Sequence, residues 1–486
     1  MKIIPEKEEA RRIAEGYNRV PAAGEMPMKG IDPAECFLKF KRLSRQCFIL
    51  ESLEDEADTG RYTFIGYDPQ LEVTCKDGVL RVDGGARIEM GTDNPGAYIR
   101  KVVSDNKAPR VDGFPPFAGG LVGYFAYDFV RYGEPSIALG DDDADSFRDV
   151  DLMLFDKVIA FDRLEGKVVF IVNIRTDAFE ENYNRAVSEI KHMRSIVLGE
   201  EKAAPAKLRL ASDWRALFDH RAYCSMVLTA KRHIVEGDIF QVVLSNRLEC
   251  DAEGSLFETY KRMREGNPSP YMFYFSSDDI EIAGAAPETL VKLRGDTVST
   301  FPLAGTRGRG ATPEEDAALE AELLSDEKEL AEHNMLVDLG RNDIGRVSKI
   351  GSVAVRKYLS IERFSHVIHI GSTVEGKIRG DRDAVDAITS LLPAGTLSGA
   401  PKIRACQIIG ELEGKRRGVY GGAVGYIGLN GDMDTCIAIR IAYKKNGKVF
   451  IQSGAGIVAD SVPETEYEEC RRKLGAVVKA LEEASK

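Results

Sequence analysis

Short apolar runs broken by turn residues fill most of residues 36–175. Cys47–Leu50, Tyr62–Ile65, Leu71–Cys75, Val79–Val82 and Val168–Ile174 are rich in β-branched and aromatic side chains, which suit a pleated surface, and read as strands. The period then changes. From about Glu180 to Leu198 the apolar residues recur at helical intervals, and the polar stretch Gly199-Glu-Glu-Lys-Ala-Ala-Pro-Ala marks a linker. Arg221–Glu236 repeats the helical spacing and stops at Gly237, a residue suited to the left-handed turn that closes a helix. Ile239–Ser245 is a nearly continuous apolar strand, and Ser255-Leu-Phe-Glu258 has the form of a capping box opening a helix that ends at Gly266. Farther on, Ala423–Leu429, Cys436–Tyr443 and Val449–Ser453 read as strands separated by Asn430-Gly431 and Asn446-Gly447. Asn-Gly pairs favour tight hairpin turns, so an antiparallel meander is predicted there. The expected class is α+β, with antiparallel β-sheets sandwiched and covered by helices. We place an N-terminal region at 10–198, a linker at 199–213 and a second region at 214–484, with a polar loop at Asp141-Asp-Asp-Ala-Asp.

The 486 residues exceed what one small core organises, which supports this division. A net charge of −12 argues against nucleic acid or an anionic membrane surface as a partner. It also means that an anionic substrate needs local Lys, Arg or metal. The eight cysteines form no Cys-x-x-Cys pair and no Cys/His metal spacing, which fits reduced thiols and a cytoplasmic location. No apolar signal core or run of transmembrane length occurs.

Two Glu-x-x-Glu pairs, Glu329/Glu332 and Glu466/Glu469, lie in helical segments far apart in sequence. A three-residue step puts both side chains on one helix face. Four such carboxylates would converge only around a hard cation, and the same spacing equally fits helix caps and solvated faces. Gln241, inside an apolar strand, is either a satisfied core amide or a pocket-lining one. Pro302-Leu-Ala-Gly-Thr-Arg-Gly-Arg-Gly310 offers backbone N–H groups and arginines to an anion but lacks a P-loop ending. Pro393–Lys402 leads into a helix N-terminus suited to a carboxylate. Gly421–Gly428 resembles a dinucleotide loop only superficially, since it leads into a hairpin. Arg440, in a strand with Ala438 and Ala442, requires an acidic partner or an anion, and His369 alone reads as a core histidine or a catalyst.

Taken together, Gly284-Ala-Ala-Pro-Glu288, Pro302-Leu-Ala-Gly-Thr306, Glu329-Leu-Ala-Glu-His333, Asp338-Leu-Gly-Arg-Asn-Asp343, Pro393–Lys402 and Pro463-Glu-Thr-Glu466 resemble the chorismate-utilising enzymes, and among them the large (component I) subunits of anthranilate synthases. The resemblance covers nearly the whole chain. It implies that Glu332 and Glu469 hold Mg2+ directly or through water, with Glu329 and Glu466 in support, and that the metal fixes the ring carboxylate of chorismate. It implies Tyr420, Arg440 and Gly456 around the enolpyruvyl carboxylate, Gly454 as a further substrate-binding position, and Lys473 adding positive charge. Gly305, Thr306 and Thr396 fall around the ring, with Thr396 beside the catalytic pair. Glu288 is the implied general acid and His369 the candidate helper when pyruvate leaves.

Two departures separate the chemistries within this family. Relatives that activate water carry a lysine where this chain has Gln241, and relatives that form aminodeoxychorismate carry a nucleophilic lysine where it has Ala304. Both departures favour ammonia as the nucleophile and anthranilate as the product. The alternatives are an aminodeoxychorismate synthase component I and a non-catalytic sensor of tryptophan or chorismate. The resemblance further implies feedback inhibition by L-tryptophan through Leu50, Glu51, Ser52, Pro270, Tyr271, Met272, Val424, Tyr426 and Cys436. The N-terminal region would then be regulatory and the second region catalytic. No Gly-x-Cys-x-Gly-type glutaminase nucleophile is present, so ammonia from glutamine implies a separate amidotransferase subunit (component II) in a heterotetramer.

Overall fold

A computed structural model of the chain describes residues 1–53, 60–201, 203–364 and 367–486. Two large antiparallel sheets organise them. In the first, of 14 strands, Arg19–Pro27, Lys167–Arg175, Lys157–Asp162, Tyr62–Tyr67 and Cys47–Glu51 lie in order. Cys47–Glu51 then pairs with Tyr271–Ser276, and the sheet continues through Ile280–Ala286, Ile441–Lys445, Lys448–Ile457 and Gln241–Glu253. In the second, of 12 strands, Leu303–Gly308 and Val367–Lys377 lead through Thr297–Thr300, Thr289–Arg294 and Met433–Ile437 to Ala423–Gly428. That last strand pairs with Gly120–Phe125 of the N-terminal half. Both sheets therefore run without a break across the two halves of the chain. The segment 199–213 joins the first sheet as well, through Arg209–Leu210 beside Ala252 and Glu253.

The packing explains why so many strands read as continuous apolar runs. Phe48, Phe64, Tyr124, Phe273, Phe275, Ile282, Val424 and Tyr443 form a buried layer between the sheets. Alternate residues of the same strands, including Cys47, Ile49 and Tyr274, face the opposite way, into a second layer under helices Pro33–Lys41, Phe179–Leu198, Phe257–Gly266 and Pro463–Ser485. A third layer covers the outer face of the second sheet under Pro95–Asp105, Ala384–Leu391 and Glu327–Gly345. A strand buried on both faces has no polar alternation to display. Among the described residues no helix is long and apolar enough to cross a membrane.

Four expectations change. Cys436–Tyr443 is not one strand: Met433–Ile437 belongs to the second sheet and Ile441–Lys445 to the first. The chain crosses between the sheets at 438–440, with Arg440 left-handed at φ 52°. Arg440 therefore does not share a strand face with Ala438 and Ala442, and the expected meander is two hairpins in different sheets. An apolar run buried on all sides carries no mark of where it changes sheet. Nor does Ser255-Leu-Phe-Glu258 form a capping box. The helix is Phe257–Gly266, and the Leu256 N–H donates to Glu281 of a neighbouring strand at 2.7 Å. A tertiary carboxylate has taken the place of the local one.

One buried ion pair ties several elements together. Arg417 donates to both carboxylate oxygens of Glu413, to the Val243 carbonyl at 2.8 Å and to the Leu397 carbonyl at 2.7 Å. Glu413 accepts in addition from the Ser245 backbone N–H and hydroxyl. The side chains are 1% and 3% exposed, so either group alone would be an uncompensated charge. Glu413→Ala is expected to lower stability by about 3–5 kcal/mol, whereas the double change Glu413→Leu/Arg417→Met is milder because no charge is left buried. Denaturant unfolding of the two variants checks this.

Candidate functional site

Two crossovers between the sheets lie side by side. One follows Ile280–Ala286 and enters Thr289–Arg294 through Pro287 and Glu288; the other is the 438–440 crossing. They hydrogen-bond to each other: the Ile437 N–H donates to the Glu288 carbonyl at 3.0 Å and the Ala285 N–H to the Arg440 carbonyl at 3.2 Å. This pairing brings the side chains of Glu288 and Arg440 within electrostatic reach. Thr396, in the turn Gly395–Leu397 held by Arg417, donates its hydroxyl to Glu288 at 3.2 Å. Burial pushes the Glu288 carboxyl up to about 8, against the Thr396 hydrogen bond and the Arg440 charge. Burial likewise lowers Arg440, and among the described residues no hydrogen bond or ion pair engages its guanidinium. A protonated acid thus stands beside an uncommitted cation.

His369 adjoins this pair. Its Nδ1 lies 2.8 Å from the Gly305 carbonyl and 3.2 Å from the Thr306 hydroxyl. The carbonyl only accepts, so Nδ1 carries the proton, and Nε2 is an acceptor with no partner among the described residues. Burial lowers its pKa, helped by the Arg440 charge and opposed by the Gly305 contact, which keeps the imidazole neutral. Gly305 has φ 63° at a register shift between Ala304 and Thr306. A Cβ there would lie 2.8 Å from Leu323 and 3.3 Å from the Glu329 carboxylate, so glycine lets the strand approach the Glu327–Gly345 helix. The expected anion loop 302–310 is this strand. Its arginines are committed to carboxylates, Arg307 to Glu322, Asp326 and Glu329, and Arg309 to Asp316.

The two Glu-x-x-Glu helices face each other across the same cleft. Glu332 feels Lys473 of the opposite helix, and Glu466 feels Lys328 in return. Burial raises both carboxyls, and their neighbours Glu329 and Glu469 raise them further. Glu469 pairs with Lys473 at 2.8 Å, whose Nζ also donates to the Gly454 carbonyl at 3.1 Å. Gln241 Nε2 donates to Glu332 at 3.4 Å, while its Oε1 is buried without a partner among the described residues. Gly454 and Gly456 pass so close that a Cβ would lie 3.2 Å from the Tyr420 hydroxyl and 2.5 Å from Gln241 Nε2, respectively. The four glutamates line the cleft without closing to a common point. Among the described residues, the one set of three ligand atoms within 4.8 Å of one another is His233, Glu236 and Asp238, and there Asp238 is already paired with Arg404. An all-oxygen set in which burial, and then the neighbouring carboxylates, raise Glu332 and Glu466 suits a small hard divalent cation. Lys328, which helps balance these glutamates, has no mark in the sequence, and Arg307, read there as an anion ligand, is committed to them instead.

A cavity of about 360 Å3 opens between the sheets at the join of the two halves. Leu50, Glu51, Ser52, Pro270, Tyr271, Met272, Val424, Tyr426 and Cys436, the whole expected inhibitor set, line it. The Tyr271 hydroxyl donates to Asp434 at 2.7 Å, and the Lys292 ammonium lies over the Tyr271 and Phe301 rings. Ser52 Oγ is buried without a partner among the described residues. The Glu51 carboxylate is spent on Arg163, Arg264 and Tyr260, and Arg163 also holds the Ser52 carbonyl at 2.6 Å. Glu51 thereby sets the position of Ser52. The cavity offers aromatic walls with both charge signs at its edge, as an aromatic amino acid requires.

The model of the chorismate binding enzyme family matches residues 46–479. The anthranilate synthase component 1 of Acetivibrio thermocellus is 44% identical over 490 residues, 99% of both chains. That of Aquifex aeolicus is 43% identical over 484 residues, 98% of this chain and 97% of the relative. The solved anthranilate synthase component I from Streptococcus pneumoniae TIGR4 superposes with a TM-score of 0.73 at 36% identity, covering 88% of this chain and 94% of that one. The menaquinone-specific isochorismate synthase of Escherichia coli, at 17% identity and a TM-score of 0.70, shares the fold.

The raised Glu288 carboxyl has a consequence for stability. Unfolded, such a group titrates near 4.5; folded, it titrates at about 8. Between those values the folded protein keeps a proton that the unfolded chain has lost, so its stability falls as pH rises through the window. Glu288→Gln removes this penalty. Its melting temperature is expected to match the wild type near pH 5 and to exceed it increasingly toward pH 8, as thermal unfolding across that range will test.

Proposed function

Because the chain belongs to the chorismate-binding enzymes, in the anthranilate synthase component 1 family, we propose that it converts chorismate and ammonia to anthranilate and pyruvate with Mg2+, under feedback inhibition by tryptophan. The observation that carries this reading is the protonated Glu288 set against the uncommitted Arg440. A reaction that must expel hydroxide from a dicarboxylate needs both an acid and an anion site.

Glu332 and Glu469 would hold Mg2+, with Glu329 and Glu466 beside them, and the ion would supply charge to neutralise and orient the ring carboxylate. Arg440, with Tyr420 and the bare backbone at Gly454 and Gly456, takes the enolpyruvyl carboxylate. Glu288 donates its proton to the C4 hydroxyl, which leaves as water while ammonia adds at C2. Thr396 holds the acid in place. His369 Nε2 then accepts the C2 proton as the ether bond breaks, and the departing enolpyruvate becomes pyruvate. Gln241 supplies no base for water, and Ala304 supplies no amine for attack on the ring, which leaves ammonia as the nucleophile. Ammonia from glutamine would come from an amidotransferase subunit, with which the chain forms a heterotetramer.

Purified protein given chorismate, an ammonium salt and Mg2+ should produce the fluorescence of anthranilate, and a chelator should abolish it. Accumulation of an aminated, non-aromatic product would overturn the reading. Glu288→Gln should lose about 10²–10⁴-fold in turnover, as expected for a missing general acid. Tryptophan should suppress the wild-type rate. Ser52→Phe, which fills part of the inter-sheet cavity and removes its orphan hydroxyl, should raise the tryptophan needed for half-inhibition by about tenfold or more.

A further inference from the structure

The Val367–Lys377 strand serves both the inter-sheet cavity and the catalytic pocket. Gly371, Ser372 and Thr373 line the cavity, and His369 lies two residues before them. Ser372 Oγ lies 2.6 Å from Nε2 of His333 and accepts the Leu359 N–H at 3.1 Å. Ser372 is 4% exposed and His333 is fully buried. His333 directly follows Glu332 in the Glu327–Gly345 helix, and its Nδ1 has no partner among the described residues. Ser372 is therefore the single polar anchor described for this imidazole.

The neighbouring strand, Ala354–Arg363, is irregular at the same level. Its register shifts between Lys357 and Ser360, and Leu359 adopts φ 51°. Lys357 and Glu362 of that strand also line the cavity, and the Tyr358 hydroxyl donates to Asn334 at 2.6 Å. The cavity wall is thus tied to two consecutive residues of the helix that carries Glu329 and Glu332. A bulged stretch lacks part of its ladder and is the portion of a sheet that can shift without breaking regular pairing.

We propose that His333 is the positioning residue through which tryptophan in the cavity alters chorismate binding: a ligand against Gly371–Thr373 displaces Ser372, and His333 carries the displacement to Glu329 and Glu332. This inference rests on the tryptophan reading given above. Coupling between sites is reciprocal, so chorismate must weaken tryptophan binding by the factor with which tryptophan weakens chorismate binding.

The test measures tryptophan binding by equilibrium dialysis of the whole chain with Mg2+, with and without chorismate, and without ammonium so that no amination occurs. In the wild type, chorismate should weaken tryptophan binding by about fivefold or more. In His333→Leu, and separately in Ser372→Ala, that ratio should fall below about twofold. His333→Leu should hold tryptophan as well as the wild type when chorismate is absent. Ser372→Thr keeps the hydroxyl and should keep the full ratio, which guards against a variant that merely packs badly. A full ratio in folded His333→Leu overturns the proposal, and so does a loss of tryptophan affinity with the ratio intact, which would make His333 a structural residue only. If the wild type binds no tryptophan, the cavity reading itself fails and the relay falls with it. That result is distinct from binding without coupling.

Discussion

Two backbone hydrogen bonds between the crossovers, Ile437 N–H to Glu288 and Ala285 N–H to Arg440, are the constraint on which the site depends. A chain leaving one sheet for another abandons its ladder partners, and unpaired backbone groups inside a sandwich are costly. Here each crossing satisfies the other. The solution has a chemical by-product. Glu288 and Arg440 occupy facing turn positions, away from the ladders, where burial raises one pKa and lowers the other. The left-handed conformation of Arg440 belongs to the same geometry, since it turns the chain from the second sheet into the first. A non-glycine residue in that region costs about 1–3 kcal/mol and persists only where its surroundings demand it.

The second constraint is electrostatic. On the proposed reading a chain of net charge −12 holds a dianion, and the cleft separates charges of opposite sign. Arg440 lies beside Glu288, at one end. The helical glutamates lie at the other, where Lys328 and Lys473 offset only part of their charge. On the proposed reading each substrate carboxylate finds positive charge, one from the protein and one from the metal. The glutamates then serve the anion indirectly, which resolves the paradox of acidic residues lining an anion site.

Much of the architecture was legible because its elements carry local marks. Arg221–Glu236 was read within one residue of the observed His220–Val235 because Gly237 ends it, and Glu180–Leu198 falls inside Phe179–Leu198. The Asn446-Gly447 turn closes a hairpin with both residues left-handed. What local marks do not encode is which sheet a strand joins. The 438–440 crossing and the capture of Leu256 by Glu281 are tertiary events, and the residues involved look the same in either arrangement. The site divides along the same line. Spacing brought out the glutamate pairs, and family resemblance supplied Glu288, His369 and the inhibitor set. Arg307 against Glu329 and Ser372 against His333 have no sequence signature, because each joins segments separated by other elements.

The distance kept by the four glutamates follows from the same physics that would let them bind. Burial raises the carboxyls of Glu332 and Glu466, and the like charges of Glu329 and Glu469 add to that rise. Lys473, bonded to both Glu469 and the Gly454 carbonyl, holds one helix in check, while Arg307 draws Glu329 toward its own strand. Each is a competitor for a carboxylate that a cation would claim. On the proposed reading a divalent cation would have to compete with a lysine and an arginine to draw the set together. On that reading metal and chorismate each strengthen the binding of the other, and a displacement of the Glu327–Gly345 helix would weaken both. A regulatory ligand need not enter the catalytic pocket to act. It need only bias the helix on which Glu329 and Glu332 ride.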